Sequence, residues 1–316
     1  MSDHVILEWH MSIKEHPPQS SDSFESLALH VPVLLEATLQ TLNPKRGESY
    51  LDLTAGYGGH AKKILEVTKN YNDAVLVDRD DYAIERLQTL SDQGARLIHS
   101  DFVSATKQLK DEGKSFDIVL VDLGVSSPQL DQSKRGFSFT NSGPLDMRMD
   151  RQQKISAKTL INTATIDELT RIITEYGEEP IGFAKHIAKA ILMARPLNTT
   201  DELASLVKQN YRGKWKKIHP ATRTFQAIRI AVNDELRQIE ELLPLLPDLL
   251  KSGGRVGIIS FHSLEDRIVK HFLKEQFDAG FEAELLPLTK KPILGANYDV
   301  HNPRARSSKL RAAVKK

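Results

Sequence analysis

The sequence predicts an α/β protein, a mostly parallel sheet with helices on both faces, interrupted by one all-helical stretch. Three observations predict it. Apolar runs of strand length around Leu51, at Ala74–Asp78, at Arg96–Phe102 and at Phe116–Asp122 alternate with helical patterns, as in a parallel sheet. Asp52, Asp78, Phe102 and Asp122 fall at the ends of these runs, and open sheets of this kind bind ligands at the carboxyl ends of their strands. From about Leu130 to Lys217 the strand period disappears, leaving a polar loop and helical patterns, before Gly253–His262 resumes the sheet.

In chain order, residues 1–28 carry Asp3, Glu8, Glu15, Asp22 and Glu25 against Lys14 alone, with a break at Pro17-Pro18, so a flexible N-terminal tail is expected. His30–Glu36 leads into a short amphipathic helix ending near Asn43-Pro44, placed either to cover the cleft or to cap the sheet. Tyr50–His60 then reads as buried strand, glycine turn and helix start. Gly56, Gly58 and Gly59 let the backbone approach a ligand closely, because glycine has no Cβ.

Two ligands compete for that turn. Its glycines satisfy the dinucleotide fingerprint, which seats a pyrophosphate on a helix N-terminus. Asp52, four residues before Gly56, would repel a pyrophosphate and attract a sulfonium, which favours S-adenosylmethionine. Asp78 lies near the offset of about 20 residues at which an acid meets ribose hydroxyls in such Rossmann-like folds, and Phe102 is placed to lie against an adenine.

Helical patterns cover Ile166–Tyr176, Phe183–Ala194 and Asp201–Asn210 within the insertion. A long helix is expected from Thr222 to about Leu243, with Phe225, Ile228, Val232, Leu236 and Ile239 on one face. Glu282–Pro287 and Ser308–Val314 supply the last two strands.

Composition narrows the function classes. At 316 residues and 40% hydrophobic content the chain can bury a large core, and two domains are expected. A net charge of +1 means that any nucleic-acid contact must come from local patches. The chain has no cysteine, which excludes disulfides and thiolate metal sites and points to a cytoplasmic protein. No run approaches the roughly 18 apolar residues of a membrane span.

The segment Asp122-Leu123-Gly124-Val125-Ser126-Ser127-Pro128-Gln129-Leu130-Asp131, with Arg135-Gly136-Phe137-Ser138-Phe139 and Pro144–Asp150, resembles the bacterial RsmH (MraW) family. The resemblance recurs at His219–Ala227, Ser260–Arg267 and Asn302–Ser307, and runs from His30 to Arg311. Members of that family methylate the N4 amine of a cytidine in the decoding centre of 16S ribosomal RNA. The resemblance implies a seven-stranded S-adenosylmethionine-dependent methyltransferase domain, discontinuous over residues 29–130 and 218–316, with an inserted helical substrate-recognition domain at 131–217. It places donor contacts on Gly58, Gly59, His60, Asp78, Phe102, Asp122 and Gln129, beside Asp52 and Gly56. It further implies small-subunit ribosomal RNA as partner, within an assembled or near-assembled subunit, and leaves a homodimer open. The stretch Pro180–His186 is longer and less arginine-rich than the family's usual pattern.

A cytosine amine is a poor nucleophile because its lone pair is delocalised into the ring, so the site needs an acceptor that holds an N–H while the methyl arrives in line. Asp122 is the candidate acceptor. The Asp-Leu-Gly-Val sequence there lacks the proline and aromatic residues of common amino-methyltransferases, so stacking on the base falls to Phe137, Phe139 or Phe261-His262, although both loop phenylalanines serve equally as core anchors and His262 as a structural histidine. Arg135 and Arg148 are further substrate candidates, as are Lys214, Lys216, Lys217 and Arg223, a basic cluster interleaved with Trp215 and His219, and the basic C-terminal residues Arg304 and Arg306. No metal site is expected, since no histidine–carboxylate spacing suits one. Two other classes share features of the sequence. A non-catalytic ribosome-assembly factor is opposed by the complete acid and glycine set, and a nicotinamide-dependent oxidoreductase by Asp52 and the Asp122–Asp131 motif.

Overall fold

The computed structural model describes residues 32–213 and 219–316, so the expected tail and the candidates Lys214, Lys216 and Lys217 lie outside the described residues. The chain runs α1 (Leu35–Leu42), β1 (Tyr50–Asp52), α2 (Gly59–Thr68), β2 (Ala74–Asp78), α3 (Asp81–Ser91), β3 (Arg96–His99), α4 (Phe102–Asp111) and β4 (Phe116–Asp122). Seven helices follow: α5 (Ser127–Asp131), α6 (Ala157–Thr163), α7 (Ile166–Glu175), α8 (Ile181–Ala194), α9 (Thr200–Gln209), α10 (Ala221–Asn233) and α11 (Glu235–Leu242). β5 (Leu250–Ser260), α12 (Ser263–Asp278), β6 (Leu285–Pro287), β7 (Ile293–Leu294), α13 (Gly295–Tyr298) and β8 (Lys309–Lys315) complete it.

The main path of the sheet is β3-β2-β1-β4-β5-β8-β6, seven strands, with the two-residue β7 pairing β8 off that path. β1 to β5 are parallel and β8 runs antiparallel to β5, β6 and β7. Because successive strand residues face opposite ways, Leu51, Val75, Val77, Val119 and Val121 enter one core with α4, α11 and α12, while Tyr50, Leu76, Ile118 and Leu120 enter another with α1, α2 and α3. Burial on both faces explains why these strands read as near-continuous apolar runs.

The first helix caps the sheet. α1 packs on β5 and β8, and the Arg255 guanidinium donates to the carbonyls of Leu42 and Asn43, satisfying acceptors that the helix end leaves open. A third core joins the loop residues Phe137, Leu145 and Met147 to Ile161, Leu169, Ile187, Leu203, Phe225 and Ile228 of α6 to α10.

The single helix expected over Thr222–Leu243 is two helices. The chain breaks at Asp234, which takes left-handed backbone angles (φ 53°). The cause is Asn233, whose side chain is buried and bonded to distant backbone: it accepts from Met149 N at 2.9 Å and donates to the carbonyl of Met147 at 2.8 Å. α11 then begins at Glu235 and packs Ile239 and Leu242 into the sheet core. Among the described residues, no helix is long and apolar enough to cross a membrane.

Candidate active site

Asp52, Asp78 and Asp122 stand at the carboxyl ends of β1, β2 and β4, three adjacent strands. The Tyr50 hydroxyl, two residues back on the same strand face, donates to Asp52 at 2.7 Å, and Thr54 N donates to its other oxygen at 3.2 Å. Burial pushes the Asp52 carboxyl up to about 7, with the nearby Asp78 charge acting the same way. Asp78 accepts from Gly56 N and Asp80 N, both at 2.8 Å, and burial still raises it. The glycine turn thus lies over Asp78. Gly58, the residue capping α2, has φ 77°, an angle that suits glycine.

Asp122 is held by its backbone, whose N–H donates to Thr54 Oγ1 at 2.6 Å. Its Oδ2 lies 3.7 Å from His60 Nε2, and its Oδ1 is buried with no hydrogen-bond partner among the described residues. Burial, then the charges of Asp52 and Glu265, raise Asp122 well above the ordinary carboxylate range. Burial also drives His60 down to about 4, so its imidazole is neutral at physiological pH. Among the described residues none of the three aspartates is ion-paired to a lysine or arginine. The cleft is therefore acidic, and its three carboxyls lack a directly paired lysine or arginine. That is the environment a sulfonium fits, and Asp122 Oδ1 is an acceptor still waiting for a donor.

The remaining candidates divide by environment. Phe102 begins α4 behind the cap Asp101, which accepts from Val103 N at 3.0 Å, and it packs against the sheet core. Gln129 is buried, donating to Asp80 at 2.7 Å and accepting from Ser126 N at 3.0 Å. Arg135 is 4% exposed and wholly engaged: Nη1 meets Asp80 Oδ2 at 2.7 Å, and Nη2 donates to the carbonyls of Arg148 and Met149, both at 3.1 Å. Phe137 lies under the Arg135 guanidinium in the helical core, and Phe139 packs its ring 4.7 Å from Phe225 and 4.8 Å from His219. Both anchor the loop in this conformation. Arg148 grips Asp146 through two bonds and adds the carbonyls of Arg151 and Gln153.

His262 caps α12. Its ring accepts from Glu265 N at 3.4 Å, while Glu265 accepts from Phe261 N at 2.7 Å. Burial opposes the charge of Glu265, yet bonds and charges from His262, Arg229 and Phe261 N hold it below its usual value. Arg223 is exposed and donates to the carbonyl of Glu178 at 3.2 Å, Arg304 meets Asp131 at 2.5 Å, and Arg306 is exposed.

Several residues that shape the cleft escaped the sequence reading. Tyr50 is visible in principle from its i, i+2 relation to Asp52. Asp80, Arg229 and Glu235 are visible only in space. Glu235, His262 and Glu265 bring ligand atoms within 4.8 Å of one another, a grouping no sequence spacing announces. Both oxygens of Glu235 are already taken by Arg229, at 2.9 and 2.8 Å, so a guanidinium supplies the positive charge there.

Comparison with known proteins bears on the chain as a whole. A family model described as the MraW methylase family matches residues 27–316. The Ribosomal RNA small subunit methyltransferase H of a Cyanothece species is 47% identical over 287 residues, covering 90% of this chain and 94% of the relative. Its Synechocystis counterpart is 47% identical over 297 residues, covering 90% and 93%. That of Nitratidesulfovibrio vulgaris is 43% identical over 320 residues, covering 93% and 88%.

Proposed function

Because this chain belongs to the MraW methylase family, matched over residues 27–316, we propose that it methylates the N4 amine of one cytidine in the small-subunit ribosomal RNA, with S-adenosylmethionine as donor. Its relatives are named methyltransferases of that RNA over nearly their whole length, and it is a methyltransferase acting on the same class of molecule. The observation that carries the choice of an amine is the orphaned Asp122 Oδ1, a buried acceptor at the end of β4 with no hydrogen-bond partner among the described residues.

When bound, S-adenosylmethionine supplies an electrophilic methyl group on a sulfonium. The chain's own residues do the rest. Burial disfavours charge on Asp52 and Asp122, and a bound sulfonium favours their ionised forms, so that in the complex both carboxylates face the positive sulfur. Asp78, at the end of the next strand, is placed for the ribose hydroxyls. Asp122 accepts an N–H of the cytosine amine, which aligns the nitrogen and returns lone-pair density to it. A carboxyl raised well above its ordinary value is also suited to take up the proton that the nitrogen releases as the new C–N bond forms and the C–S bond breaks. The neutral His60 adds no competing cation. The inserted residues 131–217, whose described part shares a core with α10, are proposed to hold the RNA, presented in an assembled or near-assembled subunit.

The test is methyl transfer from labelled S-adenosylmethionine to unmodified small subunits and to naked 16S RNA, followed by nucleoside mass spectrometry. N4-methylcytidine at one position, absent with Asp122→Ala, is the expected outcome. A methyl group found only on carbon or on another base would sink the reading.

A further inference from the structure

We propose that a cavity at the start of α8 binds the backbone of a single-stranded segment of the RNA substrate, outside the carboxylate cleft. The inference rests on the RNA-methylating function above and deepens it by naming where the chain away from the target base is held. Gly182, Phe183, Lys185, His186, Lys189 and Arg212 line a cavity of about 480 Å³. That volume lies within the range of about 300–1,000 Å³ typical of ligand sites. Every charge that lines it is basic.

Among the described residues the positive charges there meet no acid. Lys185 and Lys189 sit at i, i+4, where like charges repel and weaken a helix. On other helices the same spacing carries opposite charges, as in Arg171–Glu175 and Lys274–Asp278. Among the described residues, Lys185, His186, Lys189 and Arg212 form no ion pair with a carboxylate. Two lysines and an arginine converging on one acid-free cavity create a field that favours an anion.

The walls suggest which anion. Phe183 lines the cavity, and Tyr211 backs it edge to face, ring centroids 5.7 Å apart, so the one aromatic ring in the lining is held in place. A basic groove with an aromatic wall is the pattern that takes single-stranded nucleic acid, phosphates on the cations and a base or ribose on the ring. Beside Gly182 there is open space, with no atom within 4 Å of where a Cβ would stand.

Its position also fits. Glu178, just before α8, bonds Ser263 and meets Arg267 at 2.9 Å, both in the first turns of α12 where the chain leaves β5. Gly182 is four residue steps beyond Glu178, at most about 14 Å of extended chain. The cavity is therefore tied to the carboxyl edge of the sheet, where Asp122 also stands.

The test uses the full chain with Lys185→Gln, Lys189→Gln and Arg212→Gln combined, titrated against a fluorescent single-stranded oligoribonucleotide and against unmodified small subunits over a series of salt concentrations. The variant is expected to keep wild-type thermal unfolding and S-adenosylmethionine affinity while RNA affinity at low salt falls about tenfold or more. The slope of log affinity against log salt becomes shallower by about 2, three contacts at about 0.7 each. Methyl transfer shows a raised KM for subunits with kcat kept at saturation, and Lys185→Arg with Lys189→Arg restores affinity where glutamine does not. Unchanged affinity and slope in the triple variant would overturn the proposal. Loss of inorganic phosphate binding in the triple variant with oligonucleotide affinity kept would reassign the cavity to a free phosphate and overturn it too. Failure of the wild-type protein to methylate any RNA would instead strike the proposed function, since the binding titration is read independently of transfer.

Discussion

His60 Nε2 and Asp122 Oδ2 stand 3.7 Å apart, close enough to sense each other and too far to share a hydrogen bond. With the imidazole pushed down to about 4, the pair is not an ion pair at neutral pH, and Asp122 keeps its hydrogen-bonding capacity for a ligand. Asp122→Asn preserves shape and removes the capacity to accept a proton. Its kcat should fall about 10²- to 10⁴-fold, far more than its affinity for donor. Single-turnover transfer with a parallel calorimetric titration checks this, and wild-type kcat in the variant would remove Asp122 from the role.

The raised Asp52 carboxyl makes donor binding pH-dependent. Below about 7 it is protonated in the donor-free protein and offers no charge to a sulfonium. S-adenosylmethionine affinity should therefore fall as pH drops from 8 to 6, whereas S-adenosylhomocysteine, a neutral thioether at sulfur, should respond less. Asp122 is raised as well and acts in the same direction, while His60 titrates too low to contribute in this window. Tyr50→Phe deletes a hydrogen bond that favours ionised Asp52, so it should move the midpoint up. The sign for stability is opposite. A carboxyl raised on folding stabilises the donor-free protein below its unfolded value near 4, and that contribution is lost as pH rises through about 7. Superimposable pH profiles for the two ligands would exclude a sulfonium-facing Asp52.

Arg135 reads in the sequence as a candidate RNA contact, yet it is buried on Asp80, itself the cap that accepts from Tyr82 N at 3.1 Å. Removing the guanidinium strips a buried carboxylate of its counter-charge, leaving it only the Gln129 and Tyr82 N–H donors, and takes a donor from two carbonyls, so Arg135→Ala should lose about 3–5 kcal/mol of stability. Pairing it with Asp80→Asn should recover part of the loss. Equilibrium urea unfolding decides: a wild-type midpoint combined with lost RNA affinity would return Arg135 to the RNA surface.

What could be read in the sequence and what could not follows from the range of the interactions. The alternation of Leu51, Ala74–Asp78 and Phe116–Asp122 with helical stripes is local, and it placed three acids at adjacent strand ends. The break at Asp234 is invisible to periodicity because Phe225, Ile228, Val232, Leu236 and Ile239 keep helical spacing straight through it. Its cause lies 84 and 86 residues away, at Met149 and Met147. Asp80 and Arg135 are likewise 55 residues apart, and only the fold shows that each satisfies the other. Phe137 and Phe139 carry the same lesson, since a loop aromatic can face a base or the core, and helical residues far along the chain decide which.

Gly124 ties Asp122 to the next strand in a way that a single methyl group can test. Its φ is 97°, and a Cβ there would stand 3.2 Å from the Phe261 ring. Phe261 in turn donates its N–H to Glu265, fixing the start of α12, and Leu123 N bonds Ile259 O at 2.9 Å between the same two strands. Gly124→Ala should therefore cost about 1–3 kcal/mol through backbone strain, and it should lower kcat by displacing Asp122 from its substrate while donor affinity changes less. The two contributions separate in a double variant. Phe261→Leu frees space beside the new methyl but leaves φ positive, so Gly124→Ala with Phe261→Leu should regain kcat more than stability. Recovery of stability alone would mean that the ring contact, rather than the placement of Asp122, is what the glycine protects.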